Sequence, residues 1–186
     1  MDFSNFIKQY LKNPRIVGAV APSSEKLAYK MVEDINFSNA SCIVEYGPGT
    51  GVFTEKILNK KNDSTIFIAI EYNKDFYELL KDKFKDEKNF ILINSSAENL
   101  KEYLNKYNIG KVDYIVSGLP FASLPDAMSN RIVKATKEIL KDKGEFITFQ
   151  YTLFKIKLFK SYFSNIKRKK VLLNFPPAYV LKCKNF

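Results

Sequence analysis

The chain has 186 residues, 46% hydrophobic and 15% aromatic, a globular composition long enough for one domain with an ample core. It contains no histidine, which excludes Ser-His-Asp and Cys-His catalysis and any zinc site built on imidazole, and its two cysteines have no metal-ligand spacing. The formal net charge is +10, and nine Lys and Arg residues but no acidic one follow Glu145, a field that suits a polyanion (nucleic acid or anionic membrane) or serves solubility alone.

In chain order, residues 2–12 (DFSNFIKQYLK) place Phe3, Phe6, Ile7, Tyr10 and Leu11 on one helical face, flanked by Lys8, Lys12 and Arg15, and Pro14 ends the helix. Such a stripe either lies in a lipid interface or packs on the body as a lid. A second helix is expected from about Ser24 to Ile35, opened by 22-PSS-24. Strands and helices then alternate. Strand 41–46 leads through a glycine loop to a helix ending near Asn59, strand 65–71 to helix 74–86, and strand 90–94 to a polar turn and a helix near 98–106. Strand 112–117 precedes a helix over about 124–141, and strand 145–152 follows. Alternation of this kind predicts an α/β protein with a parallel, doubly wound sheet. Segments 165–173 and 178–184 are joined only by 174-NFPPA-178, too short for a parallel crossover, so they pair as an antiparallel hairpin and complete seven strands. Cys42 and Cys183 fall inside strands and read as buried free thiols. One domain is expected over 1–186, residues 1–23 forming an amphipathic, lid-like segment and 24–186 the core. No run of about 20 apolar residues and no signal-peptide pattern is seen, which points to a cytoplasmic or peripherally membrane-associated protein.

The stretch 44-VEYGPGTGVFTEK-56 carries the chemistry. Gly47, Gly49 and Gly51, with Thr50 between the last two, lie between a strand and a helix start, as in nucleotide sites. The spacing departs from the dinucleotide fingerprint, whose third glycine would stand at Val52. Glu71, followed by Tyr72, ends the next strand where a carboxylate accepts from ribose hydroxyls, or is simply solvated. Glu45 lies in an apolar strand, where an unpaired carboxylate is expensive unless it accepts loop N–H groups or faces a cation. A ligand without pyrophosphate and with positive charge is implied, and S-adenosylmethionine fits.

These residues, E-x-G-x-G-x-G with an acidic end to strand two, a hydrophobic fourth strand with a polar exit and a terminal hairpin, resemble the class I S-adenosylmethionine-dependent methyltransferases, whose sheet is Rossmann-like. The resemblance covers nearly all of the chain from about residue 24. The pieces 13-NPRIVGAVAPSS-24, 117-SGLPF-121, 147-ITFQYT-152 and 174-NFPPAYV-180 resemble more closely the bacterial phospholipid N-methyltransferases, which methylate the phosphatidylethanolamine amine. The ribosomal RNA adenine dimethylases are the neighbouring group. The resemblance implies cofactor contacts from Glu45, Gly47, Gly49, Thr50, Gly51, Glu71, Tyr72, Ser96, Ala97, Glu98 and Ser117. Relatives commonly have Asp-Ala where this chain has Ser96-Ala97, so either Glu98 compensates or affinity is lower.

The acceptor side is expected at Gly118, Leu119, Pro120, Phe121 and Tyr151. Gly118 stands where the dimethylases have Asn, which removes side-chain acceptors for an adenine amine. Phe121 could stack on a base, wall a headgroup pocket or pack in the core. With no histidine, Tyr46, Tyr151 and Glu98 are the candidates to take the amine proton, and Tyr151, at the end of strand five, is preferred. The partner is expected to be an anionic membrane, met by Phe3, Phe6, Lys8, Lys12, the basic C-terminal region and the Phe-, Leu- and Lys-rich 154-FKIKLFKSYF-163. RNA is the alternative partner, through the Lys167–Lys170 cluster. The dimethylases normally append a C-terminal helical domain after the hairpin, and this sequence ends there. The other alternative is a cofactor-binding module without turnover. No metal and no obligate protein partner are expected.

Overall fold

The structure, a computed structural model, describes residues 25–172 and 177–185. The amphipathic segment 2–12 with Phe3, Phe6, Lys8 and Lys12, the helix start at 22–24 and residues 174–176 lie outside the described residues. Helix α1 (Glu25–Val32) leads to β1 (Cys42–Tyr46), α2 (Val52–Leu58), β2 (Ile66–Glu71), α3 (Lys74–Lys83) and β3 (Phe90–Asn94). A 3-10 turn (Ala97–Asn99) runs into α4 (Leu100–Lys106), followed by β4 (Val112–Ser117), α5 (Asp126–Ile139), β5 (Leu140–Gln150), α6 (Ile156–Tyr162), β6 (Asn165–Val171) and β7 (Ala178–Lys184).

The strands form one sheet in the order β3-β2-β1-β4-β5-β7-β6. Strands β1 to β5 are parallel, and β7 is antiparallel to both β5 and β6. This is the expected Rossmann-like doubly wound sheet with a C-terminal antiparallel hairpin. Strand order reverses between β1 and β4, and open α/β sheets bind ligands beyond the carboxyl ends of strands at such a reversal.

The central strands are buried on both faces, so 42-CIVEY-46 and 66-IFIAIE-71 read as near-continuous apolar runs. Side chains alternate between two cores. Val44, Tyr46, Ile68 and Ile70 join Phe121, Phe146, Phe159 and Phe163 under α4, α5 and α6, whereas Ile43 and Phe67 join Leu27, Met31, Phe53 and Leu80 under α1, α2 and α3. Cys42 and Cys183 are buried free thiols, pushed up to about 12 chiefly by burial.

Two elements differ from the sequence expectation. The 154–163 segment, expected on a membrane face, contains helix α6 and turns Phe159 and Phe163 fully into the core, leaving Phe154 outside. Its 3.6-residue apolar spacing is met by packing on the sheet. Strand β5 starts at Leu140 rather than near 145: α5 passes directly into it, Leu140 pairs with Val112, and the register then shifts so that Glu145 pairs with Tyr114. Lys141 anchors the irregular stretch, its Nζ lying 2.8 Å from both Asp113 Oδ1 and Ser41 Oγ.

Lys169 Nζ, on the outer strand β6, donates at 2.8 Å to both Glu33 Oε1 and Asp34 Oδ2 just after α1, and Lys182 pairs with Asp34. The hydrogen bonds from Lys169 and Lys182 hold the Asp34 carboxyl down at about 2. One member of the basic cluster expected to face a polyanion is therefore neutralised within the fold. The others stud an exposed edge strand, where lysines also discourage pairing with another chain.

Candidate active site

The loop after β1 is set by its backbone. Gly47, Gly49 and Gly51 have φ of 61°, 57° and 85°, the left-handed region that favours glycine. At Gly51 an added Cβ would also lie 2.8 Å from Leu80 Cδ2 and 2.9 Å from Phe84 Cε2, so the loop is pinned against α3. At Gly49 nothing lies within 4 Å, and the backbone faces open space. Gly47 N donates to Ile70 O at 2.9 Å, tying the loop to β2. Thr50 is exposed at its tip.

Glu71 braces this loop. Its Oε2 accepts from Gly49 N at 3.0 Å and its Oε1 from Asn73 N at 2.8 Å. The carboxyl is nearly buried, and burial raises its pKa against the pull of those backbone donors. Tyr72 N–H also acts on the carboxyl, which leaves it a lone pair for a ribose hydroxyl. Tyr72, beside it, is exposed. Asn94 Nδ2 donates to Glu71 O at 2.8 Å and fixes the strand end from the β3 side.

Glu45 is fully buried, as its place in β1 implies, but its donor is not the loop expected from sequence. Its Oε2 accepts from Thr54 Oγ1 at 2.7 Å, in the first turn of α2. Its Oε1 has no hydrogen-bond partner among the described residues. Burial lifts this carboxyl to about 8, the Thr54 hydroxyl opposing and the nearby Glu71 adding to the rise.

The 95-SSAE-98 turn is held within itself. Ser96 Oγ accepts from Glu98 N at 3.3 Å, Ala97 is buried, and Glu98 Oε1 accepts from Arg131 Nε at 2.5 Å. Glu98 is thus held in an ion pair with α5. Tyr46 differs from expectation too: its ring is fully buried, its hydroxyl lies 3.2 Å from Thr136 Oγ1, and burial raises its pKa far up. It points into the α5 core, not to the strand end.

The loop after β4 packs on the glycine loop. Ser117 is buried and its Oγ accepts from Leu119 N at 3.2 Å. Gly118 N donates to Tyr46 O at 2.8 Å, and a Cβ at position 118 would lie 2.6 Å from Gly47 O. In this conformation no side chain, asparagine included, fits there. Leu119 leans over Gly47, whose own added Cβ would meet Leu119 Cδ2 at 2.9 Å. Leu119 and Pro120 are half-buried. Phe121 takes the core position among its three readings: it is fully buried, edge-on to Phe146 and Phe159 at ring separations of 6.1 and 5.3 Å. Tyr151, half-buried, stands just past β5 with its ring edge-on to Phe149 at 5.5 Å, and Phe149 in turn meets Phe53 of α2 at 5.9 Å. It therefore lies on the side of the sheet from which the glycine-loop helix starts.

Sequence reasoning missed Thr54, Asn73 and Asn94, which position the two carboxylates. Polar residues one turn into α2, at the start of α3 (Asn73 Oδ1 also accepts from Phe76 N at 2.9 Å) and at the end of β3 were the available signal.

A loop of positive-φ glycines opening onto free space, a braced carboxylate at the end of β2 and a buried carboxylate oxygen with no donor among the described residues fit a nucleoside cofactor carrying a cation. Sheet order and site together define an S-adenosylmethionine-dependent methyltransferase. Comparison with known proteins agrees. The sequence pattern described as ribosomal RNA adenine dimethylase matches residues 6–173, and the chain belongs to that family. It is 29% identical over 185 residues, 98% of this chain and 96% of the relative, to an ornithine lipid N-methyltransferase of Singulisphaera acidiphila. It is 30% identical over 176 residues to the ribosomal RNA small subunit methyltransferase A of Borrelia garinii subsp. bavariensis, covering 87% of this chain but 60% of that one. Among solved structures, the precorrin-6y C5,15-methyltransferase of Geobacter metallireducens superposes with a TM-score of 0.67 at 14% identity, over 87% of this chain and 88% of that one. The S-adenosylhomocysteine-bound Podospora anserina methyltransferase PaMTH1 gives 0.64 at 14% identity, over 99% and 89%. At these identities the structures share the fold.

Within the described residues, no helix is long and apolar enough to cross a membrane.

Proposed function

We propose that this methyltransferase acts on the primary amine of a membrane lipid headgroup, phosphatidylethanolamine first among them. The observation that carries the reading is the match to the ornithine lipid N-methyltransferase across nearly the whole of both chains, against 40% and 60% of the length of two ribosomal RNA methyltransferases. The steric closure at Gly118 supports it, because an adenine amine would have no side-chain acceptor at that position.

When bound, S-adenosylmethionine supplies a methyl group already activated on a sulfonium. The protein's part is to free the amine lone pair, hold it in line and exclude water. Gly47, Gly49, Gly51, Glu45 and Glu71 hold the cofactor, with Thr50, Tyr72, Ser96, Ala97, Glu98 and Ser117 around them. Leu119 and Pro120 wall the acceptor, with Gly118 beneath and Phe121 behind in the core, and Tyr151 either takes the ammonium proton as its phenolate, directly or through water, or faces the methylated ammonium with its ring.

The competing reading is N6-methylation of ribosomal RNA adenine, which the family name favours. The experiment incubates the protein with methyl-labelled S-adenosylmethionine and a whole bacterial lysate, then partitions into chloroform–methanol. Label running with methylated ethanolamine or ornithine lipids is the expected result. Label confined to ribosomal RNA overturns it. Cofactor binding with no label transferred anywhere would leave a binding module without turnover.

A further inference from the structure

Phe154 and Leu172 are the two most exposed large apolar side chains among the described residues, at 81% and 65%. The topology brings both to one end of the sheet. Phe154 follows β5 and Leu172 follows β6, and these strands run in the same direction because β7 is antiparallel to each. Gln150, Tyr179 and Lys170 sit opposite one another across the three strands, so both apolar residues overhang the edge from which the glycine loop and the 117–121 loop emerge.

The charge around them is selective. Asp126, Glu33 with Asp34, Asp34 and Glu145 neutralise Lys155, Lys169, Lys182 and Lys184 respectively. No carboxylate partner is found among the described residues for Lys157, Lys160, Arg168 or Lys170. Arg168 and Lys170 share a face of β6 with Ile166, which packs in the α6 core, and Lys170 Nζ lies 5.8 Å from the Tyr179 ring centroid on that face. Lys157 and Lys160 are exposed on α6.

We propose that Phe154 and Leu172, with Lys157, Lys160, Arg168 and Lys170, form a docking surface for an anionic bilayer that presents the mouth of the site to lipid headgroups. The proposal rests on the lipid reading of the acceptor. Apolar side chains entering the acyl boundary and cations meeting lipid phosphates act together in such binding. Leu172 argues for lipid over RNA, since an aliphatic side chain offers a base no stacking platform whereas bilayer insertion uses it fully.

The test is co-sedimentation of the full chain with vesicles of phosphatidylglycerol and phosphatidylcholine, and with phosphatidylcholine alone. Wild type should bind the mixed vesicles and not the neutral ones. The double variant Phe154→Ser, Leu172→Ser and the double variant Lys157→Glu, Lys160→Glu should each partition about tenfold less, with unfolding midpoint and S-adenosylmethionine affinity unchanged, and the first should still methylate detergent-dispersed lipid amine. Wild-type partition by these variants overturns the surface, even where lipid is methylated. A wild-type protein that methylates no lipid but still partitions through these residues leaves the surface standing and removes the acceptor reading. Binding to ribosomal RNA through Arg168 and Lys170, with no vesicle binding, overturns the proposal in favour of RNA.

Discussion

On the β1–β2 side of the sheet the site is made of backbone: three glycines at positive φ, a carboxylate gripping Gly49 N and Asn73 N, and an amide of Gly47 tied to Ile70. Toward α5 and the 117–121 loop it is made of side chains, and residue types that look chemical there are structural. Phe121 fills the core, Tyr46 bonds to Thr136, and Glu98 is held by Arg131, while the half-buried Tyr151 stays at the rim. Backbone geometry demands particular residues at particular spacing. Side-chain direction, by contrast, is decided by packing partners far away in the chain.

The largest effect should come from breaking the acceptor side as a core. Phe121→Ala should destabilise the protein by about 3–5 kcal/mol, the range for emptying an aromatic site in a packed interior. Urea denaturation checks it. Unchanged stability with lost turnover would return Phe121 to the acceptor pocket. Next, Gly118→Ala drives a Cβ to 2.6 Å from Gly47 O, a backbone atom that moves only with the glycine loop. A destabilisation of roughly 1–3 kcal/mol is expected, together with weaker S-adenosylmethionine binding by calorimetry. This variant couples the two sides, and an unchanged affinity would show that they are independent.

These contrasts explain what was legible. The parallel strands, the hairpin and the glycine loop follow from periodicity, a five-residue connection and E-x-G-x-G-x-G, all local patterns. The burial of Phe159 and Phe163 was not, because 154-FKIKLFKSYF-163 has the same apolar spacing whether it meets a sheet or a lipid. Nor could the ion pair of Glu98 with Arg131, 33 residues apart, be read from either residue's neighbours. The early start of β5 hides in a polar stretch, 140-LKDKG-144, that Asp113 and Ser41 recruit through Lys141.

Glu45 sharpens the cofactor side at smaller scale. Its folded carboxyl is raised from 4.5 to about 8 by burial, with Glu71 the neighbouring acid. A raised carboxyl favours the protonated fold, so its contribution is whole below pH 4.5 and is lost as pH rises to about 8. Glu45→Gln keeps the Thr54 bond without a charge and should remove that decline, gaining about 1–3 kcal/mol over wild type at pH 8, while S-adenosylmethionine binding weakens. Parallel pH–stability curves for the two proteins would show that Glu45 is not buried as an acid in solution.

Tyr151→Phe keeps the ring contact with Phe149 and removes only the hydroxyl. Its effect belongs to chemistry. If the hydroxyl receives the amine proton, turnover should fall by about 10²-fold or more in kcat, the range for losing a positioned base, with cofactor affinity unchanged. A ring acting only through cation–π attraction would keep kcat in the phenylalanine variant and lose it in Tyr151→Leu. Full activity in both would place the acceptor site away from β5, and would leave Leu119 and Pro120, above the glycine loop, as the residues that face the amine.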